Sequence, residues 1–183
     1  IIPKKLKKRF SGEIIVNYLN HSSCKLKAKI RQNGDFRDHI SYQENKLRQS
    51  LDVKLLNGNI ANITNFKLLL DGTRGVSEDE IFLTEILRTF KYISPRTKFV
   101  NVNINGFSQK MLFQEKIRKE LLEYNKKTES GIFEANEKDL FKSFEKFKNN
   151  NLDIYQIGLV ESSKDASIGM FVRQTNSNWF KKG

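Results

Sequence analysis

Residues 24–31 read Cys-Lys-Leu-Lys-Ala-Lys-Ile-Arg, and no other stretch limits the fold as tightly. Lys25, Lys27, Lys29 and Arg31 hold every second position, with Leu26, Ala28 and Ile30 between them. Successive side chains of a strand point to opposite faces, so this spacing predicts a half-buried β-strand with one cationic and one apolar side. Asn33-Gly34 follows, and both residue types tolerate the positive φ of a type I′ hairpin turn. A two-residue turn there would set Phe36 opposite Arg31, Asp38 opposite Lys29 and Tyr42 opposite Lys25, a basic face with a ring at each end. Asn57-Gly58 repeats the signal and predicts a second hairpin between LDVKLL and NIANITNF. With GEIIVNYL (12–19) before them and the buried strand FKLLLDG (66–72) after, the front of the chain reads as an antiparallel β-meander.

Past the loop DGTRGV the period changes from two to 3.6. Ser77 and Glu80 stand at capping-box spacing, and Ile81, Leu83, Ile86, Leu87 and Phe90 form an apolar stripe, which predicts a helix over 77–93 ahead of Pro95. TKFVNVNING (97–106) reads as a strand near a sheet edge. An amphipathic helix is expected over 108–127, a third helix over 136–149, and a closing β-pair between 153–162 and 166–174. The fold class is therefore α+β, an N-terminal antiparallel β-meander followed by a mixed sheet covered by about three helices. A basic arm (1–10) precedes a single α+β domain (11–183), β-rich over 11–72 and built of helices and strands over 73–183. A chain of 183 residues that opens on Ile is also expected to be a processed product or a piece of a longer one.

Charge bears on function. The chain carries 33 Lys and Arg against 21 Asp and Glu, a formal +12 with a pI near 9.7. Within residues 1–40 there are ten basic residues and three acids, so more than half the surplus lies in less than a quarter of the chain. The basic residues are Lys4, Lys5, Lys7, Lys8 and Arg9 in the arm, and Lys25, Lys27, Lys29, Arg31 and Arg37 beyond it. Regularly spaced cations on a pleated face neutralise phosphates and release counterions, so nucleic acid is the expected partner, RNA before DNA. Lys, Asn, Ile and Phe all have AT-rich codons, so an AT-rich genome would raise the lysines without selection for charge, although Glu would rise with them. One cysteine, Cys24, excludes an internal disulfide and a cysteine-built zinc site, and two histidines, His21 and His39, argue against a histidine-rich metal centre. No apolar run approaches the length of a membrane span. An intracellular setting, cytoplasmic or organellar, is expected.

Two arrangements invite a chemical reading. Asp35 lies ahead of Asp52-Val53-Lys54, and this resembles the pattern of PD-(D/E)xK nucleases. There, two acids hold Mg²⁺ while a lysine polarises the attacking water. No proline precedes Asp35, and Gly34-Asp35 reads equally as a turn. Asp71 and Thr73 resemble the start of the Asp-x-Ser-x-Ser metal loop of von Willebrand A domains, but the next position is Gly75. Glu78, Asp79 and Glu80 open the following helix and would repel phosphate, so they fit as complements to the helix dipole. The leading expectation is a non-catalytic protein that grips structured RNA in a ribonucleoprotein such as a ribosome, beside other proteins of that assembly and with no cofactor. A Mg²⁺-dependent nuclease built on Asp35, Asp52 and Lys54 is the alternative, and an interaction protein with incidental charge is the third.

Overall fold

The computed structural model describes residues 7–34, 37–43, 45–73, 77–128, 133–135 and 172–174. It divides into two compact units, 1–128 and 129–183. Within the first unit lie β1 (Phe10–Asn17), β2 (Ser23–Gln32), β3 (Ile40–Gln43), β4 (Lys46–Gln49), β5 (Leu51–Leu55) and β6 (Asn65–Leu70). They are followed by helix α1 (Ser77–Thr89), β7 (Thr97–Ile104), β8 (Phe107–Glu115) and the short helix α2 (Lys119–Tyr124). In the second unit β9 (Phe133–Ala135) pairs antiparallel with β10 (Val172–Gln174). The expected helix over 136–149 and strand over 153–162 lie outside the described residues.

One six-stranded sheet, ordered β1-β2-β5-β6-β8-β7, organises the first unit. The α+β class is as expected, and the antiparallel pairing of the front half continues through β6, β8 and β7. One face carries the core: Leu26, Ala28, Leu51, Val53, Leu55, Phe66, Leu68, Leu70, Met111 and Phe113 pack together with Ile63. Phe66 and Phe113 stack with centroids 4.6 Å apart. Every second residue of β2, β5 and β6 enters this cluster, so period-two alternation is what selects the buried face.

The three Asn-Gly dipeptides behave differently from one another. At Asn33-Gly34 only Gly34 has positive φ, and β2 does not turn back on itself. The chain instead leaves through a short 3-10 turn, Arg37–His39, into the β3–β4 hairpin and returns as β5, which pairs directly with β2. The expected pairs Asp38–Lys29 and Tyr42–Lys25 therefore do not form, and Phe36, expected opposite Arg31, lies outside the described residues. Burial of β2 between β1 and β5 outweighs one local turn. At Asn57-Gly58 only the end of the expected second strand pairs with β5, Lys54 opposite Asn65 and Val53 opposite Phe66, because the turn forms at Ala61-Asn62 and shifts the register. Both have positive φ, and Ile60 and Ile63 exchange backbone hydrogen bonds at 3.0 and 2.9 Å. Asn57 acts elsewhere, its Oδ1 accepting from the backbone N–H of Lys27 at 2.6 Å.

Asn105-Gly106 is the dipeptide that makes a two-residue hairpin, with φ of 50° and 86° and Ile104 paired with Phe107. The helix expected over 108–127 is accordingly wrong for its first half. Residues 107–115 form β8, buried on both faces from Met111 to Glu115, and only Lys119–Tyr124 is helical. A strand covered on both sides loses its alternation and carries a continuous apolar run, which a helical period can also fit.

Helix α1 forms where expected but sets a polar edge against the sheet. Its two buried residues are polar, Ser77 and Thr84, and Glu80 accepts from Gln114 at 2.6 Å. Ser77 donates to Asp71 at 2.7 Å, so the capping box with Glu80 gives way to contacts made by both side chains elsewhere. Of the apolar stripe, Leu83, Leu87 and Phe90 face outward, 55%, 42% and 71% exposed, with Phe82 beside them at 65%, while Ile81 and Ile86 are half-buried. The helix ends in a Schellman arrangement: Tyr92 N–H bonds to Leu87 O, Lys91 N–H bonds to Arg88 O, and Lys91 is left-handed at φ 62°.

Candidate nucleic-acid interface

The sheet face opposite the core carries the even-numbered residues of β5, β8 and the odd-numbered residues of β1, β2 and β6 that the register brings side by side. One row across it reads Arg31, Asp52, Lys67, Gln114, Thr97. The next reads Ser11, Lys29, Lys54, Asn65. Helix α1 occupies the β8–β7 half of this face, where Glu78 meets Lys110 and Glu80 meets Gln114. The β1–β2–β5 half presents cations: Lys25, Lys27 and Lys54 are exposed, and Lys29 and Arg31 are half-buried.

Asp52 anchors this half. Its carboxylate is buried, 1% exposed, and accepts from three cations. Arg31 gives two bonds to Oδ2, at 3.0 and 2.8 Å, Lys116 Nζ gives one to the same oxygen at 3.0 Å, and Arg9 gives one to Oδ1 at 3.0 Å. Burial alone would raise its pKa. The nearby charge of Lys116 and the bonds from Arg31, Lys116 and Arg9 outweigh that and lower it to about 2. Burial also pushes the Lys116 ammonium below its ordinary value, and Asp52 restores only part of the difference. Three cations around one carboxylate leave the cluster with a local surplus of two positive charges.

The pKa of Asp52 implies a pH dependence. An unfolded aspartate titrates near ~3.9, and the folded state holds this one about two units lower, so its contribution is complete above about pH 5. It is lost as pH falls through the folded value, and amounts to about 2 kcal/mol. Urea midpoints measured from neutral pH to below pH 2 are expected to fall across this window. An Asp52→Asn chain should show a shallower fall, and equal falls would overturn the assignment.

The sequence-derived candidates separate in space. Lys4 and Lys5 lie outside the described residues, as does Asp35. Lys7 and Lys8 precede β1, but Arg9 belongs to the folded face and not to a free arm, with a second bond from its guanidinium to Lys29 O at 3.2 Å. Lys25 pairs with Glu13 at 2.8 Å, Lys27 stays exposed, and Lys29 Nζ donates to Ser11 Oγ at 2.8 Å. Arg37 sits in the 3-10 turn, away from the β2 row in register. Lys54 shares a face with Asp52 as its spacing requires, yet its cross-strand neighbour is Lys29. As a metal ligand Asp52 would have to give up the cations that already hold both its oxygens. Among the described residues no cluster of three His, Cys, Asp or Glu is arranged to hold a metal. Lys67 and Lys116 join the face without having been picked out from sequence, and the cue was Asn105-Gly106: read as a turn, it makes 107–115 a strand and delivers Lys116 to its end.

Neither protein-family models nor curated proteins match this sequence. Among the described residues no helix is long and apolar enough to cross a membrane.

Proposed function

We propose that the chain binds nucleic acid through the β1–β2–β5 half of the sheet, by contacts to backbone phosphates. The observation that carries this reading is the direct cross-strand pair Lys29–Lys54, two cations facing each other with no acid between them. Like charges directly opposite destabilise a sheet, and an anion bound across them would remove that cost. Arg9, Arg31 and Lys116 extend the positive field around the pair. Charge distribution supports it further: residues 1–128 hold 25 basic and 13 acidic residues, while residues 129–183 hold eight of each, so the whole surplus belongs to the unit with this face.

The open half carries cations without interleaved aromatic rings, because Phe10 projects on the core side of β1 and Tyr42 lies in the β3–β4 hairpin. Such a surface suits helical nucleic acid held by its phosphates better than unpaired bases held by stacking. Structured RNA within a ribonucleoprotein assembly is the substrate we favour.

Filter retention of labelled structured RNA and duplex DNA over a salt series, with and without Mg²⁺, tests this. The native chain should bind with an affinity that falls steeply with salt and should leave the nucleic acid intact. Lys29→Ala combined with Lys54→Ala should reduce the log–log salt slope by about 1.4–1.8, lower affinity tenfold or more, and leave thermal stability equal or slightly higher. Salt-independent retention, or a slope untouched by the double substitution, would sink the proposal.

A further inference from the structure

The same unit exposes a second surface of opposite character. Phe82, Leu83, Leu87 and Phe90 stand out from α1, and Tyr92 and Ile93 follow directly, 64% and 44% exposed. Together these six residues leave roughly 600 Å² open, at the upper end of what a monomer shows in one patch and close to one partner's share of a standard interface. Surface helices ordinarily turn such a stripe inward. Here the inward side carries Ser77, bonded to Asp71, Glu80, bonded to Gln114, and the buried Thr84, so the helix is anchored through its polar face.

The charges at the two ends of the stripe select its occupant. Asp79, Leu83 and Leu87 follow one another at four-residue steps, and Lys91 continues the row just past the last turn. Asp79 and Lys91 are both exposed, and neither makes an ion pair among the described residues. A second α1 packed antiparallel about a two-fold axis near Glu85 would bring Leu83 against Leu87 of the other copy. It would also set Asp79 beside the other copy's Lys91 at both ends. Parallel packing would instead oppose like charges. Acid at one end and base at the other make the surface self-complementary, as a two-fold contact requires.

We propose that the outward face of α1 is the contact surface for a second copy of this chain, in an antiparallel helix pair. Sedimentation velocity of the nuclease-treated chain over a dilution series tests it without involving nucleic acid. The native chain should sediment as a dimer that dissociates on dilution. Phe82→Glu and Phe90→Glu should each raise the dissociation constant by about thirtyfold, with circular dichroism and melting temperature little changed because both rings are already exposed. Asp79→Lys and Lys91→Glu should each weaken the dimer roughly tenfold, and the two combined should recover it. A monomer at every concentration overturns the proposal, as does a dimer indifferent to Phe82 and Phe90. A charge-swapped double variant no stronger than the singles overturns the antiparallel arrangement.

Discussion

Asp52→Ala is expected to cost the first unit about 3 kcal/mol of stability, measured as a shift in urea midpoint at neutral pH. The substitution removes the one acid to which Arg9, Arg31 and Lys116 all donate. Breaking a buried ion pair leaves its partners uncompensated, which typically costs ~3–5 kcal/mol. The lower end applies because the Arg9 and Arg31 side chains, 33% and 39% exposed, can turn towards water, whereas Lys116 at 17% has less freedom. Lys116→Met together with Asp52→Ala should therefore recover part of the loss. The milder Asp52→Asn chain separates the functional readings, since it retains shape and removes charge. A phosphate-binding face relieved of its internal acid should hold nucleic acid at least as tightly as the native chain. A nuclease that needs this carboxylate would stop cutting.

Much of the sheet was legible because half-buried strands keep their alternation. In β2 the lysines fall on one face and Leu26, Ala28 and Ile30 on the other, as the spacing of the sequence implies. What local signals left open was pairing. An Asn-Gly step favours positive φ but does not choose which strand lies alongside, and at residue 33 the burial of Leu51 and Val53 beside β2 decides it. In β8 the covered faces erase the alternation and let Met111, Leu112 and Phe113 pass for one side of a helix. For α1 the period gives the stripe, but the bond Ser77 donates to Asp71 and the one Glu80 accepts from Gln114 hold its polar side towards the sheet. The candidate site was half legible for the same reason. Lys29 and Arg31 could be placed from their own strand, while their meeting with Lys54, Asp52 and Lys116 depends on neighbours 21 or more residues away along the chain.

The second large effect is expected at Arg96, where Arg96→Lys should lose about 2–3 kcal/mol although the charge is conserved. The guanidinium makes paired bonds to Glu115, Nε to Oε2 at 2.8 Å and the second nitrogen to Oε1 at 2.7 Å. A third bond runs to Ala61 O at 2.6 Å, in the turn that joins β5 to β6, and the plane lies 4.2 Å from the Tyr124 ring centroid of α2. One side chain thus ties the start of β7 to the end of β8, a distant turn and the short helix. Glu115 is buried, 2% exposed, and its bonds to Arg96 raise the arginine further above its already high value. An ammonium is a single point of charge on a flexible stem, and it cannot span both carboxylate oxygens while also reaching Ala61. Glu115→Ala should cost as much or more, about 3–5 kcal/mol, because it strands the arginine at 16% exposure. Hydrogen exchange would distinguish this loss from that at Asp52, since protection should fall first in α2 and the 61–62 turn when Arg96 is changed, and first in β1 when Asp52 is changed. Loss spread evenly over the sheet in both variants would contradict the view that the two ion clusters pin separate parts of it.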